Sequence, residues 1–206
     1  MCGEVLSDVL DRNGGTVVMK GLILVGYRCT GKTTAGRMLA RRLGMPFADT
    51  DEIIEERTGK TAAQLVPEGG WPLFREKERE ALEAVTSQGP LVLATGGGIV
   101  ESEMNRKNLK RMGLVVWLTA SPGEIERRML EDPGTSRGRP PLSGSGRRAE
   151  IEKTLARREQ FYSATADLVI DTADRTVESV VEEILHEIKI KGKGSCLETA
   201  SGKSSS

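Results

Sequence analysis

The octapeptide Gly26-Tyr27-Arg28-Cys29-Thr30-Gly31-Lys32-Thr33 has the spacing G-x-x-x-x-G-K-[ST]. Successive backbone N–H groups in such a turn, with the positive end of a helix behind them, form a cradle for phosphate. Lys32 reaches the β- and γ-phosphates and the Thr33 hydroxyl suits Mg²⁺, so the stretch predicts a bound nucleoside triphosphate. Asp49 and Asp51 lie two residues apart in Phe47-Ala48-Asp49-Thr50-Asp51. On an extended chain they point the same way, one toward a metal and the other toward an acceptor hydroxyl, as phosphoryl transfer requires. The alternative for Asp51 is a helix N-cap. Gly96-Gly97-Gly98 allows backbone amides to approach a ligand, or makes only a tight turn. Arg75 and Glu78 are spaced i, i+3, so on a helix Glu78 can hold Arg75 in place, although most such pairs are solvated surface contacts.

These residues need elements to place them. Leu22 to Val25 is a short apolar run that reads as a buried strand, and Met38, Leu39 and Leu43 share a helical face after the loop. Pro46 to Asp49 reads as a second strand and Glu52 to Arg57 as a helix. Thr61 is expected to cap a short helix ending near Pro67-Glu68-Gly69-Gly70, with a longer helix over Pro72 to Thr86. Leu91 to Ala94 is a third strand, ended by the glycines, and a helix follows over Ser102 to Met112. Leu114 to Leu118 is a fourth strand, and Ser121-Pro122 opens its helix with a cap and an N1 proline. Helix returns at about Ala149 to Tyr162, then strand Leu168 to Ile170, then a last helix near Val177 to Ile188. Five short strands alternating with helices predict an α/β fold, a parallel sheet with helices on both faces. In such sheets ligands sit at the carboxyl ends of the strands, where the phosphate loop, the two aspartates and the glycines all fall.

Residues 1–17 show a weak helical pattern (Val5, Leu6, Val9, Leu10) broken at Asn13-Gly14-Gly15, and are expected to form a loosely attached arm to a domain over 18–190. Residues 132–148, rich in Gly, Pro and Arg, have little to bury; a loop of that length inside a domain is usually functional or disordered. The Gly- and Ser-rich tail over 191–206 is expected to be disordered.

Lysine plus arginine balances aspartate plus glutamate at 30 each, so no global field favours nucleic acid or an anionic membrane. The few aromatics offer no stacking platform for single strands. Three cysteines without metal or redox spacing suggest a reducing compartment, and no apolar run approaches the roughly 20 residues of a membrane span. A cytoplasmic monomer is the expectation.

Taken together, GKTT-G-R-LA, FADTD, FRE-E, ATGGG, an RP-containing loop and R-E-FY, in this order, resemble the shikimate kinases over roughly Lys20 to Ile188. The likeness is greatest to the form with a tryptophan before the FR motif (here Trp71) and an RP-x-L-[ST]-G lid. The resemblance implies the small P-loop kinase fold with a mobile lid, and transfer of the γ-phosphoryl group of ATP to the 3-hydroxyl of shikimate. It implies that Cys29, Thr30, Gly31, Lys32, Thr33 and Thr34 hold the nucleotide phosphates, with Arg128 at the adenine. Asp51 would bind the shikimate hydroxyls and act as base. Arg75 and Arg158 would take the substrate carboxylate, with Glu78 orienting Arg75. Gly97 and Gly98 would line the substrate, and Arg139 in the lid would descend on the ATP phosphates. Thr33 and Asp49 would support Mg²⁺.

Cys29 departs from the glycine usual in that family, and a thiol at a helix N-terminus beside Lys32 is expected to make ATP binding sensitive to thiol reagents. Pro141 departs within the lid. A gluconate kinase is the alternative. Nucleoside monophosphate kinases fit less well, because FR and GGG together are not their signature, and the chain lacks the Asn-Lys-x-Asp signature of a GTP-operated switch.

Overall fold

The computed structural model describes the backbone of residues 7–10, 16–131 and 146–200. Five strands form one parallel sheet: β3 (Leu22–Val25), β4 (Phe47–Asp49), β5 (Val92–Ala94), β6 (Leu114–Thr119) and β7 (Leu168–Asp171), in the order β4-β5-β3-β6-β7. The first of them in the chain sits in the middle of the sheet. Its neighbours β5 and β6 send their connections apart, leaving a crevice at its carboxyl end. Five sheet strands fall within a residue or two of the apolar runs that predict them.

Alternation along β3 divides the core. Leu22 and Leu24 pack with Leu39, Val180 and Ile184 on one face, beneath α1 (Lys32–Leu43) and α7 (Val177–Ala200). Ile23 and Val25 pack with Leu82, Val85, Leu109 and Tyr162 on the other, beneath α3 (Ala62–Thr86), α4 (Glu103–Met112) and α6 (Arg147–Thr165). Two layers of helix on a sheet with both faces apolar is the expected burial for parallel strands.

Local chemistry sets the ends of several elements. Gly70, at φ 70° and ψ −175°, breaks α3 into the two helices expected on either side of it, a conformation open to a residue without Cβ. Thr61 is the N-cap of the first, and its N–H donates to Gln64 Oε1 at 2.8 Å. Ser121 Oγ accepts from Glu124 N at 3.2 Å at the start of α5 (Pro122–Glu131).

The termini differ from expectation. The described part of the N-terminal arm is extended: β1 (Ser7–Leu10) pairs antiparallel with β2 (Thr16–Met19), Leu10 opposite Thr16, while Val5 and Leu6 lie outside the described residues. The β-branched run Thr16-Val17-Val18 favours strand, and Asn13-Gly14 is a hairpin dipeptide as well as a helix breaker. The domain boundary expected after residue 17 therefore falls inside a strand. At the other end α7 runs on to Ala200, beyond the expected stop near Ile188 and into the stretch expected to be disordered. α6 begins at Arg147, inside the expected lid, and the rest of the lid over 132–145, Arg139 with it, lies outside the described residues. No helix among the described residues is long and apolar enough to cross a membrane.

Candidate active site

The loop after β3 turns as the phosphate-loop spacing predicts. Lys32 Nζ donates to Tyr27 O at 2.6 Å across the loop, and the buried Thr30 hydroxyl donates to Tyr27 O at 2.8 Å. Thr30 therefore braces the loop with its side chain, leaving its amide for a phosphate.

Cys29 stands at φ 61°, the left-handed region that favours glycine. For an L-residue that conformation costs about 1–2 kcal/mol, and a glycine there would lose about 0.5–1 kcal/mol of unfolded-state entropy instead. Cys29→Gly is expected to raise stability by up to about 1 kcal/mol, read as a higher urea midpoint, and to remove the sensitivity of nucleotide binding to alkylation. A lower midpoint would show that the thiol's packing beside Tyr27 and Ile125 outweighs the backbone strain.

The two aspartates diverge. β4 ends at Asp49, whose Oδ1 accepts from Asp51 N at 2.9 Å, so Asp49 is the N-cap of α2 (Thr50–Thr58). The capping role weighed for Asp51 belongs to Asp49, and the chain does not stay extended between them. Asp49 Oδ2 also accepts from the Thr33 hydroxyl at 2.7 Å. A hydroxyl and a carboxylate side by side at the mouth of the phosphate loop are hard oxygen donors that fit Mg²⁺. That ion keeps few protein ligands and fills its shell with phosphate oxygens and water. No group of three or more His, Cys, Asp or Glu side chains is gathered for a metal among the described residues.

Asp51, released from capping, faces the glycines. A Cβ built on Gly96 would lie 2.8 Å from Asp51 Oδ1 and 2.6 Å from Glu78 Oε1, and one on Gly98 would strike the Arg75 guanidinium. Gly96 and Gly98 are bare because two carboxylates and an arginine occupy the space their side chains would take, and a Cβ on Gly97 would lie 3.2 Å from Gly26 O of the phosphate loop. Arg75 forms ion pairs with Glu78 and Glu101, the second at 3.3 Å, and its guanidinium lies 5.4 Å from the Trp71 ring centre. Glu78 is fully buried, and burial holds its carboxyl above the ordinary value against the pull of Arg75. Arg158, 4% exposed, donates from Nε to Glu101 Oε1 at 2.7 Å. Burial pushes Glu101 up, but Arg158, Arg75 and Arg157 together outweigh it and hold the carboxyl below its usual range. Glu101 thus ties together both arginines expected to take a carboxylate.

Three adjoining cavities result. Asp51, Arg75, Glu78, Gly96 to Gly98 and Arg158 line one, with Tyr27, Arg28, Ala62, Trp71 and Phe74. Cys29, Gly31 to Thr34, Asp49 and Asp51 line a second, with Arg28, Thr95 and Arg128. The third, about 440 Å³, opens beyond Cys29, Thr30 and Gly31 between Arg128 and the Thr172–Val177 loop. Arg128 is fixed there by donating to Glu124 Oε1 at 2.6 Å and to Thr172 Oγ1 at 3.0 Å. Hydrogen bonds from Arg127 and then Arg128 hold the Glu124 carboxyl down to about 2.

Every expected site residue among the described residues lines one of these cavities. Arg28, Glu101, Glu124 and Glu150 carry weight in the site and escaped the sequence. The first hides in a free position of the loop pattern, Glu101 and Glu150 act through Arg158 and Arg28 far along the chain, and Glu124 acts through Arg128 four residues on.

A phosphate loop after the central strand of a five-stranded parallel sheet, with an acceptor cavity against it, defines a small P-loop phosphotransferase. The shikimate kinase family model matches residues 28–189. A shikimate kinase of Syntrophus aciditrophicus is 42% identical over 178 residues, covering 82% of this chain and 91% of its own. The solved shikimate kinase from Acinetobacter baumannii in complex with shikimate superposes with a TM-score of 0.78 at 33% identity, covering 83% of this chain and 93% of that one. The chain belongs to the shikimate kinase family. A gluconokinase from Sinorhizobium meliloti, 17% identical with a TM-score of 0.52 over 86% of this chain and 96% of that one, shares the fold alone.

Proposed function

We propose that the chain transfers the γ-phosphoryl group of ATP to the 3-hydroxyl of shikimate, a step toward chorismate and the aromatic amino acids. The observation that carries the reading is one shared wall. Asp51 lines both the phosphate cavity and the cavity that holds Arg75 and Arg158. A base at that wall meets a hydroxyl, while two arginines on the far side suit a carboxylate through planar forks of donors. Shikimate carries its carboxylate across the ring from vicinal hydroxyls, and a cavity lined by Asp51, Arg75 and Arg158 offers a group for each.

The Gly31 to Thr34 amides and Lys32 hold the ATP phosphates, with the Cys29 and Thr30 backbone behind them, and Arg128 flanks the adenine. Thr33 and Asp49 hold Mg²⁺, which neutralises charge on the β- and γ-phosphates. Gly97 and Gly98 lie under the substrate ring, Glu78 and Glu101 orient the arginines, and Arg139 is assigned the approach to the phosphates from the lid. Catalysis is positioning and charge neutralisation, with water excluded. Among the described residues the exposed large apolar side chains Met104, Leu130, Val169 and Ile190 sit on four different elements, which supports a monomer. We place it in the cytoplasm, where its cysteines remain thiols.

The test is ADP release from ATP and Mg²⁺ with shikimate, gluconate, a nucleoside monophosphate or no acceptor. Release with shikimate alone is expected. Release with gluconate alone would overturn the substrate, and acceptor-independent release would overturn the kinase reading.

A further inference from the structure

Arg28 occupies a free position of the loop pattern, yet its surroundings are not those of a spacer. It and Asp51 are the two described residues that line both the acceptor cavity and the phosphate cavity. Its side chain is 10% exposed, and Nη2 donates at 2.8 Å to Oε1 of Glu150, itself 4% exposed, on α6. The pair balances the charge but not the hydrogen bonding: the guanidinium lies 5.6 Å from the Tyr27 ring centre, and its buried Nε makes no hydrogen bond. A buried donor left unmet costs about 1–3 kcal/mol, and folds keep such groups where a ligand meets them. Here the residue that carries it lines both cavities, as does Asp51, the carboxylate proposed to take the hydroxyl proton.

We propose that Arg28 is a catalytic residue whose guanidinium, through Nε, donates to an equatorial oxygen of the phosphoryl group in flight, with Glu150 as its positioning residue. The inference rests on the reaction proposed above and adds to it a cation at the point of transfer. In the step, the bond from the γ-phosphorus to the β–γ bridging oxygen breaks and its electron pair stays on ADP. The acceptor oxygen forms the new bond to phosphorus, and its proton passes to the Asp51 carboxylate. Arg28 remains protonated throughout. A donor aimed at charge that grows in the transition state acts on kcat more than on ground-state binding. Glu150 keeps the fork from swinging toward the acceptor's carboxylate end, where Arg75 and Arg158 already stand.

The experiment compares wild type with R28Q, R28K, E150Q and the apolar double variant R28M/E150M. It reads kcat and both KM values by ADP release, ADP affinity by calorimetry, and the thermal midpoint. R28Q should lower kcat by about 10²–10³-fold, with the KM for shikimate and the ADP affinity within about threefold. R28K should regain part of that loss, because it returns the charge without the planar fork. E150Q should lower kcat by about tenfold at unchanged ADP affinity.

Because a buried pair broken on one side can unfold a protein, the double variant serves as the folding control. Replacing both partners by apolar groups is often neutral in stability, so it should melt near wild type and still lack turnover. A folded double variant with wild-type kcat would overturn the role. So would an R28Q whose whole deficit is a raised shikimate KM, since Arg28 would then be a carboxylate anchor. A wild type that releases no ADP with shikimate would overturn the underlying reaction, and with it this step, whereas an active wild type with unaffected variants overturns Arg28 alone.

Discussion

Asp51→Asn should lower kcat by about 10²–10⁴-fold, the usual contribution of a positioned base, while the KM for shikimate changes by less than about threefold. Asparagine keeps nearly the same shape and can still hydrogen-bond a hydroxyl, but it cannot accept that hydroxyl's proton. The cap and the loop contact beside it belong to its neighbour. Asp49 caps α2 and holds the Thr33 hydroxyl, so both the helix start and the phosphate loop survive the change. ADP affinity and the thermal midpoint should therefore match wild type. A variant with more than a tenth of wild-type kcat would remove Asp51 from the role of base.

Arg75→Met should be the more damaging change to the protein itself. Arg75 is the cation against Glu78, whose carboxyl is fully buried. Taking it away leaves an uncompensated buried charge and should cost about 3–5 kcal/mol, with a shikimate KM raised on the order of 10²-fold through loss of a charge-paired donor. The stability loss should depend on pH, with a definite sign. Burial already holds Glu78 above its ordinary value of 4.5, and Arg75 opposes that rise. Without Arg75 the folded value climbs further, so the folded chain keeps a proton that the unfolded chain has released. Stability of the variant then falls as pH rises from the unfolded value to the folded one, and is flat above. Urea midpoints should show a smaller deficit at about pH 5 than at about pH 8. R75M/E78Q should recover most of the stability and none of the KM. A deficit independent of pH would mean that Glu78 is not the charge being stranded.

The parts of the site that lie next to one another in the chain were legible. The phosphate loop, the two aspartates and the triple glycine each follow an apolar run of a few residues, and the sheet puts all three at one edge. What escaped depends on packing between distant segments. Arg28 and Glu150 are 122 residues apart, and Arg158 and Glu101 are 57 apart. No local pattern announces such a pair. The D-T-D motif misled in a different way, through its conformation. The strand stops at Asp49, so the two aspartates share the phosphate cavity and only Asp51 lines the acceptor cavity as well. In the arm, Val9 and Leu10 belonged to a helical period in the sequence, whereas strand pairing with Thr16–Met19 decided their conformation.

α6 presents a row that no search for apolar stripes would single out: Glu150, Thr154, Arg158 and Tyr162, four apart and all buried. Glu150 holds Arg28 of the phosphate loop, Arg158 joins Glu101, and the Tyr162 hydroxyl donates to Gly97 O. One rigid cylinder thus sets the donor side, the acceptor side and the glycine floor against a common rule. What this helix must conserve is phase rather than length. One residue inserted between Glu150 and Arg158 would turn the two ends by about 100° relative to each other and put the halves of the reaction out of step, whereas an extra turn beyond Tyr162 would disturb neither. Across descendants of such a chain, insertions should be barred from the helix between those anchors.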